Sequence, residues 1–431
     1  MKDAVIAQSG GPTSVINNSV RGAVDRLVSS KKVSKIYGAK MGILGVLLED
    51  LLNISAQEPG EIEKLSLTPS AGAIGSCRYK IKSEEDLSRI VEVFKAHNIG
   101  YFLYCGGGDS MDTAKKVAML AKKRGLDLSV CGIPKTIDND VGGKLCGDGT
   151  FSVCDHNPGY GSTARNIAIN VLEANQENMA SHTSDPVLVI GVMGRKIGFI
   201  PAAARLADPE RKMPLLIILS EAFSKTNPEE NLNYITKKVN EKLESTGRCI
   251  VILGEGVKLG SLGVLEDNFG HTQFSSSAFS VEQILSNYLN GIDRDGKTRL
   301  CVRGNARWEK PGTRQRREAA YASTVDLEEA YKTGSFAAEL VLSGATGYMS
   351  TIIRVPGDEY KVRFDKIELD AVANSEREFP SSWIAPDRID VADDFIRWAT
   401  PLIGKRLPDF TSFKNIYAEK KLKYYIPYDY K

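Results

Sequence analysis

Short, wholly apolar runs recur along this chain between stretches of helical periodicity, and that alternation constrains its fold more than any other feature. Residues 4–8 (AVIAQ), 101–105 (YFLYC), 128–133 (LSVCGI), 187–192 (VLVIGV), 214–219 (PLLIIL) and 249–253 (CIVIL) are such runs. Strands apolar on both faces belong to parallel sheets covered by helices on each side, so the pattern predicts a doubly wound α/β fold. The first run leads through a polar turn into a helix over about 15–29. The second leads into a helix that ends near Lys123, and the third stops at Pro134. Two such layers are expected, with a boundary near residue 150. The basic stretch 293–307 (DRDGKTRLCVRGNAR) reads as a hairpin or an inserted loop, and the last sixty residues as an extension rich in aromatics and charge.

Composition closes several alternatives. With 56 Lys plus Arg against 54 Asp plus Glu, the net charge is +2, which gives no case for a nucleic-acid or membrane-surface partner. Seven widely spaced cysteines without a CxxC pair argue against a disulfide framework, and four scattered histidines argue against zinc. No stretch approaches the roughly 18 apolar residues of a membrane span, and the start of the chain does not read as a signal peptide, so a cytoplasmic location is expected.

Three strand ends carry unusual turns. Ligands of open α/β sheets bind beyond the carboxyl ends of strands, where backbone N–H groups and helix N-termini favour anions. Ser9-Gly10-Gly11 and Gly106-Gly107-Gly108 fit this role. Each alone is equally compatible with an ordinary tight turn, and neither matches GxxxxGK[ST] or a clean GxGxxG. The third turn, Pro134-Lys135-Thr136-Ile137-Asp138-Asn139-Asp140, places two carboxylates, an amide, a hydroxyl and an ammonium directly after an apolar strand. A base, a cation and metal ligands would then stand beside two anion cradles.

These segments resemble the phosphofructokinase family, in its pyrophosphate-dependent branch. The resemblance is carried, in order, by AQSGGPTSVINNSVRGAV (7–24), GSCRYK (75–80), AHNIGYFLYCGGGDSMDTAKKVA (96–118), GIPKTIDNDV (132–141), DHNPGYGSTARNIA (155–168), VMGRKIGF (192–199), GEGV (254–257), FGHTQ (269–273) and PGTRQR (311–316). It implies two Rossmann-like doubly wound domains with the active site in the cleft between them. Residues 1–150, completed by about 316–365, would bind the phosphoryl donor. Residues 151–315 would bind the sugar phosphate, and 366–431 would form a C-terminal extension packing on the core. The implied reaction is a glycolytic, reversible phosphotransfer from pyrophosphate to the C1 hydroxyl of fructose 6-phosphate, with Mg²⁺ as cofactor, in a homodimer or homotetramer.

The resemblance also distributes roles. Asp138 is the implied general base, Thr136 binds the moving phosphate or the sugar, and Asp140 holds Mg²⁺. Lys135 and Asp109 stand where ATP-dependent relatives usually have glycine. The Lys135 ammonium would steady the phosphoryl group in flight. The Asp109 carboxylate would crowd and repel a nucleotide's α-phosphate; like charges about 4 Å apart at an effective dielectric near 20 cost on the order of 4 kcal/mol. Asp109 also reads as a helix N-cap or a second metal ligand. Gly11, Gly107 and Arg78 are implied at the donor phosphates. Met193, Gly194, Arg195 and Glu255 are implied at the sugar, with Arg307, Thr313 and Arg316 around its 6-phosphate; guanidinium forks suit phosphate.

Some positions depart from the family pattern. Gly108 replaces an aspartate or asparagine expected to help hold the metal, Gly191 replaces a glutamate, and Thr313 replaces a histidine or tyrosine. They keep open a kinase for a longer sugar such as sedoheptulose 7-phosphate, and a non-catalytic regulatory paralogue.

Overall fold

A computed structural model describes residues 1–194, 197–260, 280–293, 295–374, 376–414, 416–423 and 425. Its strands are β1 (Lys2–Gln8), β2 (Val33–Ala39), β3 (Leu51–Asn53), β4 (Ile99–Gly106), β5 (Ser129–Pro134), β6 (Val187–Val192), β7 (Leu215–Ile218), β8 (Cys249–Gly254), β9 (Ala306–Glu309), β10 (Tyr348–Val355) and β11 (Lys361–Glu368). They form a seven-stranded sheet, ordered β11-β10-β5-β4-β1-β2-β3, and a four-stranded sheet, ordered β7-β8-β6-β9. The smaller sheet is wholly parallel, and the larger one is antiparallel at its two margins, where β10 pairs with β11 and β2 with β3. Each apolar run became a strand because both of its faces are covered: Ala4, Val5, Ile6 and Ala7 are 0% exposed, with alternate residues in cores on opposite sides of the sheet.

The chain returns to the larger sheet after the second one is complete. The helix Thr324–Leu342, capped by Ser323 Oγ, which accepts from the Asp326 amide (3.3 Å), lies along the helix Ile16–Ser30. Two glycines let these backbones touch. A Cβ on Gly22 would stand 1.9 Å from the Tyr331 carbonyl oxygen, and one on Gly334 1.9 Å from that of Ser19. Around the basic 293–307 segment Ile292 is bridged to Thr298, and the chain then enters β9 on the margin of the second sheet.

Beyond β11 the chain packs on the second domain. Phe379, Trp383, Phe395 and Trp398 interlock edge-on, tilted and, for Trp398 on Tyr160, stacked with Phe151, Tyr160 and Phe199, at centroid distances of 5.0 to 6.4 Å. Arg205, 2% exposed, ties this segment down through Asp390 (2.8 Å) and Asp208 (3.1 Å). From Lys405 the chain is largely exposed, with Phe413, Ile416 and Leu422 turned to solvent. All seven cysteines are free. No helix among the described residues is long and apolar enough to cross a membrane.

Candidate active site

β1, β4 and β5 are parallel neighbours in register, Gln8 opposite Cys105 and Gly106 opposite Pro134, so their carboxyl ends bring the three turns side by side. Backbone hydrogen bonds lock them. The Ser9 amide donates to the Cys105 carbonyl (2.8 Å), and the Lys135 amide to that of Gly106 (3.0 Å). The Gly10 amide donates to Cys77 (2.9 Å), and Ser76 Oγ donates back to the Gly10 carbonyl (2.8 Å). Gly10 needs its glycine, with φ +77°. Gly107 does not need one for backbone strain: φ is −86°, and a Cβ would meet only the Lys135 carbonyl, at 4.0 Å. It caps the helix Gly108–Lys123, so a side chain here would intrude on space next to an amide-rich helix N-terminus.

Cations converge on the first turn. Lys135 is 3% exposed and its Nζ donates to the Gly11 carbonyl (2.7 Å). Burial pushes this ammonium down to about 8, and the Arg316 and Arg78 guanidinium groups add to the depression. Those two side chains close on the same place: a Cβ on Gly11 would stand 2.7 Å from Arg316 Nη1 and 3.6 Å from Arg78 Nη2. Three positive groups around one glycine turn form a site for a compact polyanion.

Asp109 is not the helix N-cap expected from its sequence neighbourhood. The helix begins at Gly108 with Gly107 as cap, so Asp109 falls within the first turn, where its charge still complements the helix dipole. Its Oδ1 accepts from Lys80 Nζ at 3.1 Å, an ion pair spanning from the Arg78 segment to the second glycine turn. Lys80 was not anticipated, although it ends the same GSCRYK segment as Arg78. The pairing also counts against Asp109 as a metal ligand.

The third turn is held from several sides. Thr136 Oγ1 accepts from the Asp138 amide (3.1 Å), and the Thr136 amide donates to the Pro158 carbonyl (3.2 Å). Asn139 adopts φ +57°, a left-handed conformation asparagine tolerates, and its Oδ1 accepts from the Asn157 amide (3.0 Å). Asn157 also grips Val141 through both its amide and its carbonyl (3.1 and 2.8 Å). Asp138, partly buried, is thereby fixed two residues from the buried face of Thr136. Among the described residues no group of three His, Cys, Asp or Glu could hold a metal. Asp140 does offer a buried Oδ1 with no hydrogen-bond partner, and Mg²⁺ is commonly held by one or two carboxylates plus substrate phosphates. The donor set therefore fits Mg²⁺ through Asp140 alone, with no ligand from Gly108.

The second sheet faces this edge. Met193 follows β6 and Glu255 follows β8, and the Glu255 amide donates to the Val192 carbonyl (2.9 Å). Glu255 is 7% exposed, and Gly194 takes φ +112°. Two consecutive residues of the short helix Arg314–Arg317 span the gap. Gln315 Oε1 accepts from the Met193 amide (3.0 Å), while Arg316 reaches Gly11 on the other sheet. The carboxyl edges of the two sheets thus meet across a cleft. Gln315 belongs to the PGTRQR segment, but nothing in its local sequence points to Met193 as its partner. Gly191 is explained by Glu282, whose carboxylate fills the space: a Cβ on Gly191 would fall 2.0 Å from Glu282 Oε2. Glu221, also unforeseen, accepts from the Gly198 amide (2.7 Å), and burial pushes its carboxyl up.

Arg307 and Arg316, both implied at the 6-phosphate, stand on different elements, β9 and the short helix Arg314–Arg317. Arg307 lies opposite Leu188, near the start of β6, five residues before Met193, or about 17 Å away at strand rise. It is 61% exposed and pairs with Asp185 (3.4 Å), beside a cavity of about 450 Å³ lined also by Glu177, Asn178 and Trp308. Arg316, implied at the sugar's 6-phosphate, reaches the donor-side Gly11 turn. Thr313 is an exposed residue at the start of the same short helix. Arg195 and the FGHTQ segment lie outside the described residues.

A cation-lined cleft between two doubly wound sheets, with a carboxylate turn at its edge, defines a phosphoryl-transfer architecture, and comparison with known proteins agrees. The chain belongs to the phosphofructokinase family: the model for Phosphofructokinase matches residues 3–316. It is 36% identical, over 98% of both chains, to the pyrophosphate–fructose 6-phosphate 1-phosphotransferase of Methylococcus capsulatus, and 34% identical, over 96% of this chain and 94% of the other, to that of Halomonas elongata. The crystal structure of a pyrophosphate-dependent phosphofructokinase from Nitrosospira multiformis superposes with a TM-score of 0.80 at 34% identity, covering 98% of this chain and 99% of the other.

Proposed function

We propose that this protein is a pyrophosphate-dependent 6-phosphofructokinase. It transfers a phosphoryl group from pyrophosphate to the C1 hydroxyl of fructose 6-phosphate, giving fructose 1,6-bisphosphate and phosphate. The observation that carries the reading is the convergence of Lys135, Arg78 and Arg316 on the Gly11 turn, beside Asp138. Relatives of matching length bear names for this activity.

Pyrophosphate sits over the first two turns, its charge met by the three cations and by the helix N-terminus at Gly107. Fructose 6-phosphate enters from the second sheet, where Glu255 and the Met193–Gly194 turn hold its hydroxyls. The C1 oxygen attacks the nearer phosphorus as the P–O–P bond breaks, and its proton passes to Asp138. Transfer through a loose transition state asks mainly for position and charge, which Thr136 and Lys135 supply. Mg²⁺, held by Asp140 and donor oxygens, would neutralise charge shared between the two phosphates. In the reverse reaction Asp138 returns the proton to the C1 oxygen.

Arg307 is exposed on β9, level with the start of β6, whereas Met193 on the sugar side follows the end of β6, so a 6-phosphate site that uses Arg307 would take it from a second chain. A cytoplasmic homo-oligomer in which one subunit's Arg307 completes its neighbour's site fits this placement. A donor comparison tests the whole reading. With fructose 6-phosphate and Mg²⁺ present, kcat/KM for pyrophosphate should exceed that for ATP by at least 100-fold. Equal use of both donors, or faster use of ATP, would overturn it.

A further inference from the structure

One arginine from the C-terminal segment reaches beneath the carboxylate turn without approaching either substrate side. Arg377 is 2% exposed and its guanidinium stacks on the Phe151 ring, 4.4 Å from the centroid. Its backbone amide donates to the Asp140 carbonyl (2.8 Å). Its Nη2 donates to the carbonyls of Val141 (3.1 Å) and Cys154, and its Nη1 to that of Asp155 (2.6 Å). The loop leaving β5 and the segment before the helix Tyr160–Ser181 are thus cross-braced by one side chain. Gly142, at φ +155°, makes room for it: a Cβ there would fall 1.8 Å from Arg377 Nη2.

This contact is unlike an ordinary buried ion pair. All three side-chain acceptors are backbone carbonyls, and Arg377 Nε is buried without a partner. Burying a guanidinium is unfavourable unless its surroundings compensate, so its placement here demands a strong geometric constraint. Trp398, from the same segment, adds a second brace by donating from Nε1 to Asp155 Oδ1 (3.3 Å). Asp155 is gripped in turn by Arg354 (3.0 Å) and His156 (3.0 Å). The far side of His156 meets Glu329 (2.6 Å), which also accepts from Tyr360 (2.5 Å). The braced network ends on Asp140 and Val141, one and two residues from the left-handed Asn139.

We infer that Arg377 is a positioning residue for the Asp138–Asn139–Asp140 turn, through which the C-terminal segment sets the rate of phosphoryl transfer without touching pyrophosphate or sugar. The inference rests on Asp138 acting as the base, so its test includes a readout that does not depend on turnover. A misplacement of about 1 Å at a reacting group can cost on the order of 100-fold.

The experiment compares full-length wild type with Arg377→Lys and Arg377→Ala. Hydrogen exchange read by mass spectrometry should show peptides covering 138–142 exchanging at least fivefold faster in Arg377→Lys, with exchange in β1 and β6 unchanged. In the pyrophosphate assay the lysine variant should lose 5- to 20-fold in kcat, with KM for both substrates within threefold of wild type. Arg377→Ala should lose more, and millimolar guanidinium should restore part of its kcat by filling the vacated space. If the alanine variant does not fold, the lysine variant alone decides. Unchanged exchange at 138–142 in Arg377→Lys, or an unchanged kcat per folded molecule, would overturn the inference. A wild type inactive with pyrophosphate, combined with faster exchange in the variant, would overturn the functional reading and leave the brace standing.

Discussion

Replacing Asp138 with asparagine should lower kcat by about 10²- to 10⁴-fold, the range expected for loss of a positioned general base, while KM for pyrophosphate and fructose 6-phosphate changes by no more than a few-fold. Asparagine keeps the size and the backbone hydrogen bond to Thr136 Oγ1 but cannot accept the C1 proton. The same factor should appear with fructose 1,6-bisphosphate and phosphate as substrates, because the group that removes the proton must restore it. Steady-state rates in both directions check this. Near-normal turnover in either direction would remove Asp138 from the base role and leave the turn as a phosphate-binding element only.

Replacing Lys135 with methionine should cut kcat/KM for pyrophosphate by about 10²- to 10³-fold, as for removal of one preorganised charge from a transition state. KM for the sugar should stay within threefold. Burial holds the ammonium down at about 8, against 10.5 for an ordinary lysine. In wild type, therefore, kcat/KM for pyrophosphate should fall as pH rises through about 8, and the methionine variant should lack that limb. The stability consequence has a definite sign. Because the folded pKa lies below the unfolded one, the unfolded chain binds more protons between about 8 and 10.5, and stability rises with pH across that window. Below about 8 the full burial penalty is present, on the order of 3 kcal/mol. The methionine variant should be at least as stable as wild type at pH 7, less the hydrogen bond to the Gly11 carbonyl. A variant that is both inactive and unfolded at pH 7 would contradict this account of Lys135.

Local pattern made the strands legible and topology hid the rest. Residues 187–192 read as a strand and are β6, because a continuous apolar run has few other uses in a chain of ordinary polarity. The two glycine turns and the carboxylate turn could be seen as special one at a time. That they lie together follows from the neighbours β1, β4 and β5 pairing in parallel, which no local pattern announces. Asp109 looked like a cap because it precedes a helical pattern, yet the helix starts one residue earlier, at Gly108, where a glycine can open the turn for an anion. Lys80 and Gln315 were visible inside recognised segments, but their partners, Asp109 and Met193, lie 29 and 122 residues away. The reach of Arg316 to Gly11 and of Arg377 to Asp140 depends on how the two sheets close against each other and on the path of the C-terminal segment. Arg307 shows the opposite case. Its residue type and motif suggested the 6-phosphate, whereas the single chain places it on an exposed strand facing outward.

The Asp109–Lys80 pair bears on how Asp109 would turn a nucleotide away. A carboxylate compensated by a lysine at 3.1 Å repels less than a bare one, so we propose that the pair would act as much by bulk as by charge. Partial exposure of both groups weakens the attraction further. Donor choice should therefore depend jointly on this bridge and on the buried amine of Lys135. The most direct measurement is the ratio of kcat/KM for pyrophosphate to that for ATP, in wild type and in the Asp109→Gly/Lys135→Gly double variant, with fructose 6-phosphate and Mg²⁺ held constant. The ratio should fall by at least 100-fold, through lost use of pyrophosphate with or without a gain for ATP. A ratio unchanged within threefold in a folded double variant would contradict the account.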